Sequence, residues 1–211
     1  LAFVFIVVPG LLWFYSSSYK RQFLIGNIIV ALLAALSVLI VAFVELAVLE
    51  QRFGNLLFET PIPGQFYTWI GGFSVFSFLL TLLREIIKDI EDEKGDREME
   101  CRTIVLKCGL PRTKLLLYLL ICIIVVALYA VEFLMTEFEG SLTIKYITYG
   151  LALPLAVLAF LIYKAQNTTD FNQASTFVKL IMLSGVLYSF IFYFQMAKTY
   201  GISVFDIFII K

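Results

Sequence analysis

The chain has 211 residues, 61% of them hydrophobic, and its 16 basic and 16 acidic side chains give a formal net charge of zero. A soluble domain carries about 45–50% apolar residues, so this composition, with a mean hydropathy of +0.95, marks a polytopic membrane protein whose spans satisfy their own backbone hydrogen bonds. The charge balance gives no footing for a nucleic-acid partner, and the absence of histidine excludes imidazole acid–base chemistry, His-held haem and His-ligated zinc.

A helix crosses a bilayer with roughly 17–25 apolar residues. On that basis the sequence predicts an all-α transmembrane helix bundle of six spans, near Leu1–Phe14, Leu24–Leu46, Gln65–Leu83, Leu115–Val131, Tyr146–Tyr163 and Leu180–Ala197. The first opens in mid-run with no basic region before it, so it reads as part of a longer protein rather than as a signal peptide. Residues 1–211 read as a single transmembrane domain. Gly26-Asn27 opens the second span, where Asn27 either bonds the site or, as the favoured reading, caps its helix. Pro61-Ile62-Pro63-Gly64 breaks the chain before the third span, where Gly71-Gly72 is expected to allow close helix packing. Pro111 is expected to mark the start of the fourth. Gln166–Gln173 reads as a polar connection, and Gly201–Lys211 is apolar but too short to cross. Cys101, Cys108 and Cys122 fit no zinc or redox spacing; Cys122 is expected in the core and the other two in a reducing cytoplasmic loop.

Basic residues orient the bundle. The loops after the first, third and fifth spans hold twelve of them, from Lys20 to Lys179, against Arg52, Lys145, Lys198 and Lys211 on the other side. The Lys/Arg-rich side is cytoplasmic.

The third span runs directly into Arg84-Glu85-Ile86-Ile87-Lys88-Asp89-Ile90-Glu91-Asp92-Glu93-Lys94-Gly95-Asp96. Residues 84–114 hold eight bases and eight acids, so their charge alone would suit any solvated loop. The spacing of Asp89, Asp92 and Asp96 is more specific. Positions i, i+3 and i+7 share one helix face, and three carboxylates gathered there repel unless a cation joins them. Hard oxygen donors suit Mg²⁺, which keeps coordination positions open for water and phosphate. An Asp face at a membrane surface therefore points to a diphosphate carried on a lipid. On the same side, Tyr15-Ser16-Ser17-Ser18-Tyr19-Lys20-Arg21 supplies hydroxyl donors and point charges for phosphate oxygens, although Tyr and Lys/Arg are also ordinary membrane-interface anchors.

At these residues the chain resembles the UbiA superfamily of intramembrane prenyltransferases. Asp89, Asp92 and Asp96 match the family's second motif, D-x-x-D-x-x-x-D. Tyr15, Ser16, Lys20 and Arg21 match its Y-S-x-x-L-K-R signature, with Tyr19 in place of Leu, and Gly26-Asn27 matches the G-N that follows. The run from Arg84 to Asp92, with Gly95-Asp96 and Arg102-Thr103, is most similar to the geranylgeranylglycerol-phosphate geranylgeranyltransferase subgroup. Two positions depart from the pattern: Glu100 stands where the family often has Gly, and Ile104-Val105 where Leu-Pro is usual. The family has nine helices, and the six expected here align with helices four to nine. The first Asp motif, N-D-x-x-D-x-x-x-D, is not in this sequence, so the 211 residues alone are expected to be inactive.

The resemblance implies Mg²⁺-dependent transfer of a prenyl group from a prenyl diphosphate. The acceptor would be the hydroxyl of geranylgeranylglyceryl phosphate in ether-lipid synthesis, or alternatively an aromatic ring carbon of a quinone precursor. Asp92 and Asp96 would be the main Mg²⁺ ligands, with Asp89 as a third ligand or a group that helps deprotonate the acceptor. Arg84, Lys88, Lys20, Tyr15 and Ser16 would hold the diphosphate. The protein would reside in the cell membrane with its active site facing the cytoplasm. Two other classes compete. A solute transporter would place ionisable residues near mid-span, whereas these acids sit at a helix mouth. A non-catalytic scaffold would need no particular Asp register.

Overall fold

The computed structural model describes residues 8–10, 12–13, 22–59, 62–134, 141–200, 203–204 and 208–209. Of the first expected span only 8–10 and 12–13 fall among these, both helical; Tyr15, Ser16, Lys20 and Arg21 lie outside the described residues. By its internal contacts the chain divides into two compact units, Leu1–Leu117 and Tyr118–Lys211. Five segments are long and apolar enough to cross a membrane: Ile25–Glu59, Phe66–Glu91, Leu110–Leu134, Ser141–Lys164 and Thr168–Gln195. They correspond to the second to sixth expected spans.

In the first unit, α1 (Ile25–Phe53) and α2 (Ile62–Glu91) form a helical hairpin joined through a 3₁₀ turn, Gly54–Glu59. Ala31, Ala35, Ala42 and Leu46 recur every four or seven residues on α1, and all are buried. Small residues along one stripe let two helix backbones approach within a membrane. Ser74 of α2 uses the approach, its Oγ donating to the Ala35 carbonyl at 3.0 Å. Gly71 and Gly72 do not serve the close packing expected of them, since a Cβ at either would meet no described atom within 4 Å. Pro63 stands in the first turn of α2, where its missing N–H costs no helical bond.

The 30 residues of α2 span about 45 Å at 1.5 Å each, against a hydrocarbon core of about 30 Å. The surplus is the charged tail. Leu83, Ile86, Ile87 and Ile90 are at most 3% exposed, so a buried stripe at helical spacing carries the helix two turns past the apolar segment. Short helices α3 (Glu93–Glu98) and α4 (Ile104–Cys108) follow and pack on α2 and on each other. Next comes α5 (Leu110–Leu134), with Pro111 in its first turn as expected. Cys122 on α5 is exposed rather than in the core, because the buried stripe there runs through Leu117, Leu120, Ile121 and Ile124.

In the second unit, α6 (Ser141–Tyr146), a π-helical turn (Ile147–Ala152) and α7 (Leu153–Lys164) make one span that packs on α8 (Thr168–Tyr200). The π turn has a local cause. Pro154 has no N–H for the carbonyl four residues back, which belongs to Gly150. That carbonyl accepts instead from Ser184 Oγ of α8 at 2.9 Å. Tyr146 Oη donates to the Ser184 carbonyl at 2.7 Å, and a Cβ at Gly150 would lie 3.2 Å from the Tyr146 ring. One more expectation changes here. Most of the polar segment Gln166–Gln173 is the start of α8, because Phe171, Ala174, Ser175 and Val178 form a buried stripe and Asp170 Oδ2 accepts from the backbone N–H groups of Gln166 and Asn167 at 2.8 and 3.1 Å, closing the helix start. Beyond α8, Ser203–Val204 pairs antiparallel with Phe208–Ile209.

Candidate functional site

The Asp motif occupies the junction of α2 and α3. Asp89 is in the last turn of α2, Asp92 is the single residue between the helices at φ −88° and ψ 4°, and Asp96 is in α3. The helix axis is interrupted at Asp92, but helical hydrogen bonding continues. Asp92 N–H donates to the Lys88 carbonyl at 2.8 Å and Asp96 N–H to the Asp92 carbonyl at 3.0 Å. The three residues thus keep the spacing expected of them through a bend.

Their surroundings differ. Asp92 is exposed, while Asp89 and Asp96 are half-buried. The electrostatic neighbours of Asp89 are Asp96, Glu85 and Asp92, all of like charge. Asp89 Oδ2 accepts from Asn27 Nδ2 at 2.8 Å. Of the two roles open to Asn27, the bond to the motif is the one made, and not the favoured cap. Helix α1 begins at Ile25, with Leu24 before it and no side-chain cap, which leaves the Asn27 side chain to reach across to α2. Antiparallel consecutive spans bring the start of one and the end of the next to the same membrane side, and Asn27 is the lone polar side chain in the apolar stretch that opens α1.

Among the basic residues expected at the site, Lys88 is exposed. Arg84 is engaged by its neighbour, with Nη1 2.7 Å from Glu85 Oε1. Arg97 Nη2 pairs with Glu93 Oε1 at 2.8 Å, one turn apart on α3. Lys107 of α4 sets its Nζ 4.5 Å from the centre of the Phe23 ring, a second contact between the start of α1 and the motif region.

The motif closes in a defined helix end. Cys101 N–H donates to the Asp96 carbonyl at 2.9 Å and Glu100 N–H to the Arg97 carbonyl at 3.3 Å, with Glu100 at φ 53°. This is the Schellman pattern, whose left-handed position glycine favours. Glu100 is the position at which the resembled family often has Gly, so the chain keeps the glycine-type turn with a non-glycine residue.

Among the described residues no three His, Cys, Asp or Glu side chains converge as a ready-made metal cage. The donor set still suits Mg²⁺, which is commonly held by one or two carboxylates with waters and substrate phosphates completing its shell. Asp92 and Asp96 are one helical turn apart, and a Cβ at the intervening Gly95 would meet no described atom within 4 Å.

The chain is similar to several known proteins. The digeranylgeranylglyceryl phosphate synthase of Methanosphaera stadtmanae is 30% identical over 183 residues, 85% of this chain and 58% of that protein. Its namesake from Korarchaeum cryptofilum is 29% identical over 188 residues, 88% of this chain and 59% of that protein. Another, from Sulfurisphaera tokodaii, is 33% identical over 115 residues, 54% of this chain and 36% of that protein. The chain thus spans 36% to 59% of the length of these relatives. No solved structure matches it significantly. With five apolar spans among its described residues and the model of the UbiA prenyltransferase family matching residues 1–197, this integral membrane chain belongs to the UbiA prenyltransferase family.

Proposed function

We propose that the complete protein transfers a geranylgeranyl group from geranylgeranyl diphosphate to the free hydroxyl of geranylgeranylglyceryl phosphate, forming an ether bond and releasing diphosphate. The names of its relatives support the lipid acceptor. The observation that carries the chemistry is the Asp89, Asp92 and Asp96 strip at the end of an apolar helix. Residues 1–211 act as one transmembrane domain, with the strip facing the cytoplasm where the Lys/Arg-rich loops lie.

Asp92 and Asp96 would hold Mg²⁺, which when bound neutralises charge on the departing diphosphate. Lys88 adds a point charge for phosphate oxygens, and Tyr15, Ser16 and Lys20 are proposed to add further donors. Arg84 meets the diphosphate by sharing or leaving Glu85. Asp89 assists as a third ligand or by drawing the proton from the acceptor hydroxyl. Apolar helix walls keep water from trapping the allylic cation.

The test offers labelled geranylgeranyl diphosphate and Mg²⁺ to membranes carrying the complete protein, with geranylgeranylglyceryl phosphate and 4-hydroxybenzoate in parallel. Label is expected on the glyceryl phosphate. Label on the aromatic acid would overturn the acceptor, and transfer to neither would overturn the activity.

A further inference from the structure

We propose that Asn27 is a positioning residue that fixes the Asp89 carboxylate by one oxygen and presents the other, Oδ1, to the site. The inference rests on the functional reading above and extends it from the Asp strip on α2 and α3 to the start of α1.

Asp89 carries three like-charged electrostatic neighbours, Glu85, Asp92 and Asp96. Repulsion would turn its carboxylate away from the strip. The Asn27 amide opposes this with a bond of 2.8 Å to Oδ2, in a half-buried place between residues 62 apart in sequence. The residue type matters. A Lys or Arg at 27 would hold the carboxylate too, but its charge would cancel that of Asp89 and compete with a cation for it. A neutral amide fixes direction and leaves the charge available. The mooring itself is firm. Asn27 is in the first turn of α1, next to buried Gly26 and two residues before buried Ile29, and Lys107 sits over Phe23 just ahead of that helix. Asp92, in contrast, is exposed at the bend. The structure thus separates a held carboxylate at 89 from an open one at 92.

The experiment uses the complete protein in membranes and in detergent. Asn27→Ala is expected to lower kcat by roughly 10- to 100-fold, the scale of a group displaced by about an ångström, with the KM for geranylgeranyl diphosphate changed less than about threefold. The exchanged pair Asn27→Asp with Asp89→Asn rebuilds an amide–carboxylate bond in reverse. It is expected to restore the thermal midpoint lost in Asn27→Ala but not turnover, because the carboxylate then stands on α1. Recovery of turnover in the exchanged pair would show a merely structural tie and overturn the proposal. So would wild-type kcat in Asn27→Ala. Should Asn27→Ala fail to fold, Asn27→Ser and the exchanged pair carry the same comparison. Asp92→Ala separates this inference from its parent. Turnover lost in Asp92→Ala but kept in Asn27→Ala refutes the positioning role alone, whereas turnover kept in Asp92→Ala refutes the site.

Discussion

Glu100→Gly should tighten the end of the Asp motif. Glu100 holds φ at 53°, a left-handed conformation that costs a residue with a Cβ about 1–2 kcal/mol. Glycine removes that cost but brings back about 0.5–1 kcal/mol of chain entropy in the unfolded state. The net gain is about 0.5–1 kcal/mol, confined to the turn that the Cys101 to Asp96 and Glu100 to Arg97 backbone bonds close. Such a gain corresponds to roughly two- to fivefold slower opening exchange. Hydrogen–deuterium exchange on the peptide covering 97–103 reads it directly. Glu100→Ala is the control, since alanine keeps the Cβ and is expected to exchange like the wild type. Equal protection in Glu100→Gly and Glu100→Ala would refute the left-handed strain.

Asp92→Ala and Asp96→Ala in the complete protein should each abolish prenyl transfer while membrane insertion, read by alkaline extraction, stays intact; turnover near the wild-type level in either would remove that residue from the site. Ser184→Ala should lower thermal stability by about 1 kcal/mol, because the Gly150 carbonyl loses its donor at a turn where Pro154 supplies none; an unchanged midpoint in a detergent melt would contradict this. Gly150→Ala should cost about 1–3 kcal/mol, since its Cβ would lie 3.2 Å from the Tyr146 ring, and adding Tyr146→Ala should recover part of the loss.

The spans were legible because a membrane helix declares itself by length and apolarity, and the five described ones fall where uninterrupted runs such as Leu24–Leu46 and Leu115–Val131 put them. The helical spacing of Asp89, Asp92 and Asp96 was legible because it survives the bend at Asp92, while the three carboxylates do not converge into one cage. Features decided by a partner helix were not. For Asn27 a cap looked better than a bond to the site, since its neighbours in sequence are α1 residues and its actual partner is 62 positions away. The start of α8 was hidden by polar residues on its outer face, although Phe171, Ala174 and Ser175 are buried beneath them. Gly71-Gly72 resembled a packing motif, but small residues do so only where a neighbour approaches, and on α1–α2 the approach is made at Ala35 and Ser74. The contact of Arg84 with Glu85 was not legible either, because nothing in the spacing of Arg84 reveals that the residue beside it takes the guanidinium.

The most direct test of the metal-assisted chemistry on the Asp strip is transfer of labelled geranylgeranyl from its diphosphate to geranylgeranylglyceryl phosphate, measured in membranes carrying the complete protein, with and without EDTA. Transfer that stops on chelation and returns when Mg²⁺ is restored is the predicted result. Transfer that continues undiminished in EDTA would contradict a role for the carboxylates of Asp92 and Asp96 as Mg²⁺ ligands.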